Sequence, residues 1–255
     1  MINYTSSRYV EIGTLHREPF NHMVIDDFFY KDFAEKLSEE FPDFDSPLWY
    51  DYNNPVEVKK TTNFWDRFPP NTYKAFWDLC QSKFYSLLSY RFGTQLYPDI
   101  GLNGGGWHIH GRGGKLNVHK DYSIHPKINM QRKLNIIIYL SKDWNKSWGG
   151  GLEFWSHDAE TNAPKERIKT IDVKFNRAVI FDTTQNSWHG LPGELNCPEG
   201  QYRKSLAMYY VQTPDSTAEE RHKAKYAPTE IQKSDDSVLD FIDKRTQDNW
   251  RDLCK

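Results

Sequence analysis

Residues 115–140 read KLNVHKDYSIHPKINMQRKLNIIIYL and contain two short β-type runs, 115–119 and 134–140. Four more runs of this kind follow, at residues 151–155, 168–173, 177–182 and 203–211. Many short strands separated by turn residues are typical of a β-sandwich or a jelly roll. This part of the chain therefore predicts a core built from β-strands.

The sequence before this core has helical spacing instead. An apolar stripe runs from Phe28 to Phe41 and stops at Pro42. A second helix is predicted to start near Pro69-Pro70, and its apolar stripe runs from Phe76 to Phe92. Proline suits a first helical turn, and the glycine that follows the second stripe suits a helix end. Between the two stripes, residues 49–63 alternate weakly and predict one or two short strands.

The sequence after the core is charged. Its one amphipathic stretch contains Val238, Leu239, Phe241, Ile242, Trp250 and Leu253. This pattern predicts a helix or two packed on the outside, and a mobile terminus is the alternative. We therefore expect a mainly β protein with flanking helices, organised in segments 1–98 (helical support and short strands), 99–212 (β core) and 213–255 (helical, charged extension), packed as a single domain.

The charge balance, the apolar runs and the cysteines limit the classes of protein to which this chain can belong. The 255 residues contain 33 Lys+Arg against 35 Asp+Glu, and this balance argues against a general nucleic-acid binder. No apolar run approaches the roughly 20 residues of a membrane span, and residues 1–20 do not resemble a signal peptide. Three widely separated cysteines fit a reducing cytoplasm, which is the compartment we expect.

Three residues point to metal chemistry. His119 and Asp121 are two residues apart at the end of an apparent strand, so their side chains share one face, and His189 follows 68 residues after Asp121. Two imidazoles and one carboxylate on one face of an ion form the triad of non-haem Fe(II) oxygenases. Taken alone, the pair is also compatible with a histidine and an aspartate in an ordinary strand-end loop.

The surroundings of the triad strengthen the metal interpretation. In order come a strand ending in Tyr139-Leu140, the turn Trp148-Gly149-Gly150-Gly151-Leu152, the strand 177–182, His189-Gly190, and Arg203 opening the last strand. This order, over about residues 100–212, resembles the prolyl-4-hydroxylase-like branch of the 2-oxoglutarate/Fe(II)-dependent dioxygenases. The resemblance implies a double-stranded β-helix, which is a cupin-like jelly roll.

The resemblance also implies roles for single residues. His119, Asp121 and His189 match the iron ligands, and Arg203 matches the residue that binds the distal carboxylate of 2-oxoglutarate. A guanidinium suits this task because it grips a carboxylate with two charge-assisted hydrogen bonds. The other residues expected at 2-oxoglutarate are Ser205, Tyr139 and Asn135. Lys204 replaces Arg203 if the strand register is shifted by one residue.

The reaction that the resemblance implies is hydroxylation of an aliphatic C–H bond. Its cofactors are Fe(II), 2-oxoglutarate and O2, with ascorbate as reductant, and it releases succinate and CO2. The favoured substrate is a prolyl residue or a proline-like molecule, so the partner is a peptide, a protein or a small molecule, with no nucleic acid and no membrane. The candidate substrate contacts are Tyr122, His110, Arg112 and Trp107.

The glycine-rich segment 101–114 needs a separate interpretation. It lacks the strand and helix context of a nucleotide-binding loop. His108 and His110 alternate, so they form either a second metal site or the polar face of a strand beside the active site, and we favour the strand. Two other protein classes remain open for the whole chain: a metal-binding cupin-like protein without oxygenase activity, and a structural jelly roll without metal.

Overall fold

Thirteen β-strands form one hydrogen-bonded sheet in the computed structural model, which describes residues 6–247, with side chains from residue 8 onward. The strands are β1 His22–Ile25, β2 Tyr50–Asn54, β3 Glu57–Thr62, β4 Tyr97–Pro98, β5 Gly106–His110, β6 Lys115–Lys120, β7 Gln131–Tyr139, β8 Leu152–Asp158, β9 Ala163–Ile171, β10 Ala178–Asp182, β11 Trp188–Leu191, β12 Arg203–Gln212 and β13 Lys225–Tyr226. The helices are α1 Ser6–Ile12, α2 Lys31–Glu39, α3 Pro70–Leu79, α4 Ser82–Phe92 and α5 Asp236–Thr246, with 3₁₀ turns at Trp65–Arg67, Lys146–Trp148 and Ile231–Ser234.

The sheet is antiparallel and curls onto itself. Its hydrogen-bonded order is β1-β10-β7-β12-β5-β3-β6-β11-β8-β9, while β13 pairs with β6, β2 with β3 and β4 with β12. Phe154 of β8 and Phe181 of β10 are far apart in this order, yet their ring centroids lie 5.3 Å apart. The two halves of the sheet therefore face each other, and the predicted jelly roll is confirmed.

Alternate residues of β7 pack on opposite faces of the sheet, one toward the helices and one toward the interior of the jelly roll. Leu134, Ile136 and Ile138 belong to the core shared with the helices. The alternate residues Ile137 and Tyr139 belong to a second apolar cluster between the two halves of the sheet. This separation follows from the two-residue period of a strand.

The helices cover the back of β10, β7, β12 and β5. The stripe predicted as one helix from Pro70 to Phe92 is two helices, because Cys80 and Gln81 interrupt it. Leu79 and Phe84 are both buried across this break, so the apolar spacing alone does not reveal it. None of the helices among the described residues is both long and apolar enough to cross a membrane.

The glycine-rich segment contains β5, as the favoured interpretation predicts. Gly106 has φ +95°, and a Cβ at this position would clash with the carbonyl oxygen of Thr62 in β3. Only glycine allows β3 and β5 to approach this closely.

The C-terminal segment differs from the expectation of helices packed on the outside. Helix α5 is present, with Asp235 accepting hydrogen bonds from the first-turn N–H groups of Ser237 and Val238. However, β13 precedes it and joins the sheet beside β6. Two residues are too short a strand to stand out from a charged sequence. Trp250 and Leu253 of the predicted amphipathic stretch lie outside the described residues.

Trp107 was expected at the substrate and is instead a core residue. Its side chain is fully buried on the helix side of β5, against the rings of Phe41, Trp49 and Phe68. The alternation of β5 explains this position, because His108 and His110 occupy the other face. Trp107 therefore stabilises the fold and does not line the site.

We expect Trp107→Ala to lower the free energy of unfolding by about 3–5 kcal/mol, since it removes a fully buried indole and leaves a cavity. Urea unfolding measures this loss. Trp77→Ala is the matched control, because Trp77 is 52% exposed on α3 and should lose clearly less. Equal losses in the two variants would contradict the placement of Trp107 in the core.

Candidate metal and 2-oxoglutarate site

Strands β6 and β11 bring His119, Asp121 and His189 together. The two histidines are direct cross-strand partners, and Asp121 follows the end of β6. One ligand atom from each of the three buried side chains lies within 4.8 Å of the others. Nε2 of His119 is 3.6 Å from Oδ1 of Asp121, and Nε2 of His189 is 3.8 Å from Oδ2. This donor set fits a divalent iron ion.

Backbone carbonyl groups orient both imidazoles. Nδ1 of His119 lies 2.9 Å from the oxygen of Asn117, and Nδ1 of His189 lies 2.8 Å from the oxygen of Ser187. A carbonyl oxygen only accepts, so Nδ1 carries the proton and Nε2 is left as the metal-binding lone pair. Burial lowers the pKa of His189 to about 4, so this imidazole is neutral at physiological pH.

Asp121 is buried, and its charge is compensated on both carboxylate oxygens. Nη1 of Arg132 lies 3.1 Å from Oδ1, and Nδ2 of Asn135 donates to Oδ2 at 3.2 Å. Burial by itself would raise the pKa of Asp121, but the charge of the neighbouring Arg132 guanidinium outweighs it and holds this pKa well below its usual range. The carboxylate is therefore ionised and fixed in orientation.

Arg132 is itself held between two aromatic rings. Its guanidinium carbon lies 3.5 Å from the ring centroid of Tyr122 and 3.4 Å from that of Tyr209. Nη2 donates to the carbonyl oxygen of Asn103 at 3.0 Å. No local sequence pattern joins these residues, which come from three distant parts of the chain. Tyr122, expected at the substrate, does line the cavity, and its ring also supports this arginine.

A cavity of about 500 Å³ opens in front of the three ligands. Its walls use the inward positions of neighbouring strands, which are Asn135 and Ile137 of β7, His108 and His110 of β5, and Arg203, Ser205, Ala207 and Tyr209 of β12. Side chains alternate between the two faces of a strand, so these positions face the cavity and the positions between them face the helices.

Arg203 is buried in this cavity without an acidic partner. Nε donates to the carbonyl oxygen of Gly150 at 2.8 Å, and Nη2 lies 3.4 Å from the hydroxyl of Tyr139. Burial lowers the pKa of Arg203, and the described part of the chain places no carboxylate beside it. A buried cation needs a counter-charge, so this side chain fits an anionic ligand.

The turn before β8 is shaped around Arg203. Gly150 has φ +80°, and a Cβ at this position would lie 3.0 Å from Cδ of Arg203. Glycine is therefore required at Gly150 both by the backbone conformation and by the arginine. The glycine triplet 149–151 thus works as a turn, as interpreted from the sequence.

The remaining expected residues separate into two groups. Ser205 and His110 face the cavity, and neither ring nitrogen of His110 has a hydrogen-bond partner among the described residues. Asn135 also faces the cavity, where it binds Asp121. Arg112 lies outside the cavity, where it is exposed and donates to the carbonyl oxygen of Cys197, so its role as a substrate contact stays a prediction.

Lys204, the alternative to Arg203, points away from the cavity. Its Nζ donates to the carbonyl oxygen of Ser38 at 3.1 Å and lies 5.4 Å from the ring centroid of Phe41. The register of β12 therefore directs Arg203 inward.

Sequence reasoning missed the residues that the flanking segments contribute. Glu57, Tyr226 and Arg245 line the same cavity, and Arg221 donates to the backbone carbonyl oxygen of Asp121 at 2.7 Å. Their only signal in the sequence is a set of charged and aromatic residues without regular spacing.

One cavity of the jelly roll contains both a triad that can hold a metal ion and a buried arginine that can bind an anion. This combination indicates a metal-dependent protein with an anionic ligand. Residues 105–211 match the family described as the 2OG-Fe(II) oxygenase superfamily. This match includes the three triad residues and Arg203.

Three proteins of known name or structure are similar to this chain. The chain is 27% identical over 201 residues to prolyl 3-hydroxylase OGFOD1 of Mus musculus; the match covers 78% of this chain and 34% of that protein, so the chain spans about a third of its length. A prolyl-4-hydroxylase of Pseudomonas putida has a similar fold, with a TM-score of 0.56 and 11% identity, over 82% of this chain and 98% of that one. A prolyl hydroxylase of Trichoplax adhaerens, solved with a hypoxia inducible factor peptide, gives a TM-score of 0.52 and 15% identity over 82% and 88%.

We expect His119→Ala, Asp121→Ala and His189→Ala each to abolish stoichiometric Fe(II) binding and to leave the fold largely intact, because each removes one of three ligands. Metal content after anaerobic loading, with circular dichroism, measures both effects. His222→Ala is the control, since His222 lines the cavity outside the triad. Full metal occupancy in the three triad variants would contradict the assignment.

We expect Arg132→Met to destabilise the metal-free protein by about 3–5 kcal/mol, because it leaves a buried carboxylate without its compensating charge. Denaturant unfolding measures the loss. The double variant Arg132→Met/Asp121→Asn removes both charges and should recover part of it. A single variant as stable as the wild type would show that Arg132 does not compensate Asp121.

Proposed function

We propose that this chain hydroxylates an aliphatic C–H bond of a prolyl residue or a proline-like substrate, using Fe(II), 2-oxoglutarate and O2 and releasing succinate and CO2, with ascorbate as reductant. One observation carries the proposal: the buried triad and the buried, acid-free guanidinium of Arg203 share one cavity. The match of residues 105–211 to the 2OG-Fe(II) oxygenase superfamily and the similarity to a prolyl 3-hydroxylase support it.

The triad holds the metal in this proposal. His119, Asp121 and His189 would hold the ion, and a three-residue donor set would leave room at the metal for 2-oxoglutarate and O2. When bound, these groups supply the oxidising power that replaces hydrogen by hydroxyl at an unactivated carbon. The protein contributes the Nε2 atoms of two imidazoles, an ionised carboxylate and a fixed arrangement of all three.

Arg203 binds the distal carboxylate of 2-oxoglutarate. Its guanidinium has donors left after the bond to Gly150, and the buried Ser205 hydroxyl lies two residues along the same face of β12. The hydroxyl of Tyr139 contacts the guanidinium and completes this group. Asn135 has a further role, because its Oδ1 has no partner among the described residues and its Nδ2 orients Asp121.

Apolar and aromatic residues shape the rest of the cavity. Ile137, Leu152 and Leu191 line it and exclude water from the reacting carbon. The exposed rings of Tyr50 and Phe64 stand at its mouth. They offer flat apolar surfaces to a pyrrolidine ring, which favours a prolyl peptide or a molecule of similar shape. Tyr122 and His110 are further substrate contacts in this proposal.

The free thiols of Cys80 and Cys197 fit the reducing cytoplasm that we propose as the location. A metal-binding jelly roll without oxygenase activity would leave the guanidinium of Arg203 without a ligand, which argues against that alternative.

The test of the proposal is succinate formation from 2-oxoglutarate with Fe(II) and ascorbate, first alone and then with proline-containing peptides and free proline. We expect slow uncoupled turnover without substrate and at least a severalfold increase with one of the proline-containing compounds, with a mass increase of one oxygen atom. No succinate above the His119→Ala background would overturn the proposed activity. Uncoupled succinate without stimulation by any of these compounds would overturn the proline assignment alone.

We expect Arg203→Ala to raise the KM for 2-oxoglutarate by about 10- to 100-fold, because hydrogen bonds to a charged group contribute about 1.5–3 kcal/mol. Succinate formation against 2-oxoglutarate concentration measures the shift. Lys204→Ala is the matched control, since its side chain lies on the helix side of β12. A normal KM in Arg203→Ala would exclude Arg203 as the carboxylate-binding residue.

A further inference from the structure

The C-terminal segment lies outside the family match at residues 105–211 and yet contacts the candidate metal ligands. In the pairing of β13 with β6, Tyr226 is the direct partner of His119. The two rings are stacked, with centroids 5.3 Å apart and planes at 29°. A phenol ring therefore covers one face of a metal-binding imidazole.

Strand β13 fills a gap beside β6. Among the described residues, β3 pairs with β6 only at Leu116 and Lys115, and the hydrogen bond from Asn117 N to the oxygen of Val56 ends this contact. His119 lies beyond that point, where the edge of β6 would otherwise be open. An open edge is more mobile and exposes unpaired backbone groups.

A buried carboxylate fixes Tyr226 in this position. The Tyr226 hydroxyl donates to Oε2 of Glu57 at 3.2 Å, and Nη2 of Arg245 donates to Oε1 at 2.7 Å. Nζ of Lys59 lies 3.1 Å from Oε2. Glu57 is only 1% exposed, so strand β3 and helix α5 meet at this carboxylate and lock the phenol between them.

Backbone contacts hold the same segment against the ligand strand. Ala227 N donates to the oxygen of Val118 at 2.8 Å, and Nδ2 of Asn117 donates to the oxygen of Ala227 at 3.0 Å. Arg221 reaches the carbonyl oxygen of Asp121. The backbone next to each of the two ligands in the His119–Asp121 pair is therefore bonded to residues 221–227.

We propose that Tyr226 is a positioning residue for His119, and that Glu57 and Arg245 hold it in place. The stacked ring restricts rotation of the imidazole and keeps Nε2 directed at Asp121 and His189. The inference rests on the proposed metal site, and it assigns a metal-organising role to a segment outside residues 105–211, which are the residues that match the family. Outer contacts of this kind change metal affinity by about 10- to 100-fold.

The test uses full-length Tyr226→Leu, Tyr226→Phe and a control, Tyr90→Leu, whose ring is 83% exposed on α4. Fe(II) affinity is measured anaerobically, and Co(II) replaces iron to give visible ligand-field bands. We expect Tyr226→Leu to bind Fe(II) at least about tenfold more weakly and to shift the Co(II) bands. Tyr226→Phe keeps the ring and should recover most of the affinity, and Tyr90→Leu should match the wild type.

Arg245→Gln tests the same role in a second variant, in case Tyr226→Leu does not fold. It removes one anchor of Glu57 and leaves Tyr226 unchanged, so we expect a smaller loss of affinity with the same direction of band shift. Lys244→Gln, one residue earlier on α5, is its control. Thermal unfolding confirms that each variant is folded.

The outcomes separate the two proposals. Wild-type affinity and spectra in both Tyr226→Leu and Arg245→Gln would overturn the positioning role and leave the metal site standing. A Tyr226→Phe variant as weak as Tyr226→Leu would assign the effect to the hydroxyl and also overturn ring stacking as its cause. A wild-type protein that binds no Fe(II) would overturn the proposed function itself.

Discussion

The burial of the Asp121 carboxylate is the constraint on which the rest of the site depends. A buried charge is costly unless it is paired, and here Arg132 supplies the pairing at 3.1 Å. Arg132 needs the rings of Tyr122 and Tyr209 on its two faces. Because these residues come from β7, β12 and the loop after β6, the ion pair requires that the roll be closed.

The buried charges of the cavity differ in whether the protein itself supplies a partner of opposite charge. Glu57 is surrounded by Arg245, Lys59 and the Tyr226 hydroxyl. Burial opposes its ionisation, but the two cations outweigh burial and lower the pKa of Glu57 to about 2. Arg203 is equally buried and has no such partner among the described residues. The carboxylates of Asp121 and Glu57 are therefore paired with cations of the protein. The guanidinium of Arg203 has no acidic partner among the described residues and can bind an anionic ligand.

Much of this arrangement follows from sequence, and the remainder depends on long-range contacts. The two-residue spacing of His119 and Asp121, and the order of short strands, predict a shared face on a jelly roll, and the structure brings His189 to that face. Trp107 is one residue from His108, so the alternation of β5 places it on the face opposite the cavity and excludes it as a substrate contact. Tyr226 and Arg245 lie more than 100 residues from the ligand that they support, so no local pattern reveals them. The division into segments 1–98, 99–212 and 213–255 remains a proposal, and the pairing of β13 with β6 favours treating them as one unit.

The central claim is that the triad and Arg203 jointly bind iron and 2-oxoglutarate in one cavity. The most direct measurement is an anaerobic absorption spectrum of the protein with Fe(II) and 2-oxoglutarate, in the wild type and in His119→Ala. The account predicts a metal-to-ligand charge-transfer band that appears only in the wild type and only when both Fe(II) and 2-oxoglutarate are present. Fe(II) bound at the triad without this band, at saturating 2-oxoglutarate, would contradict the account.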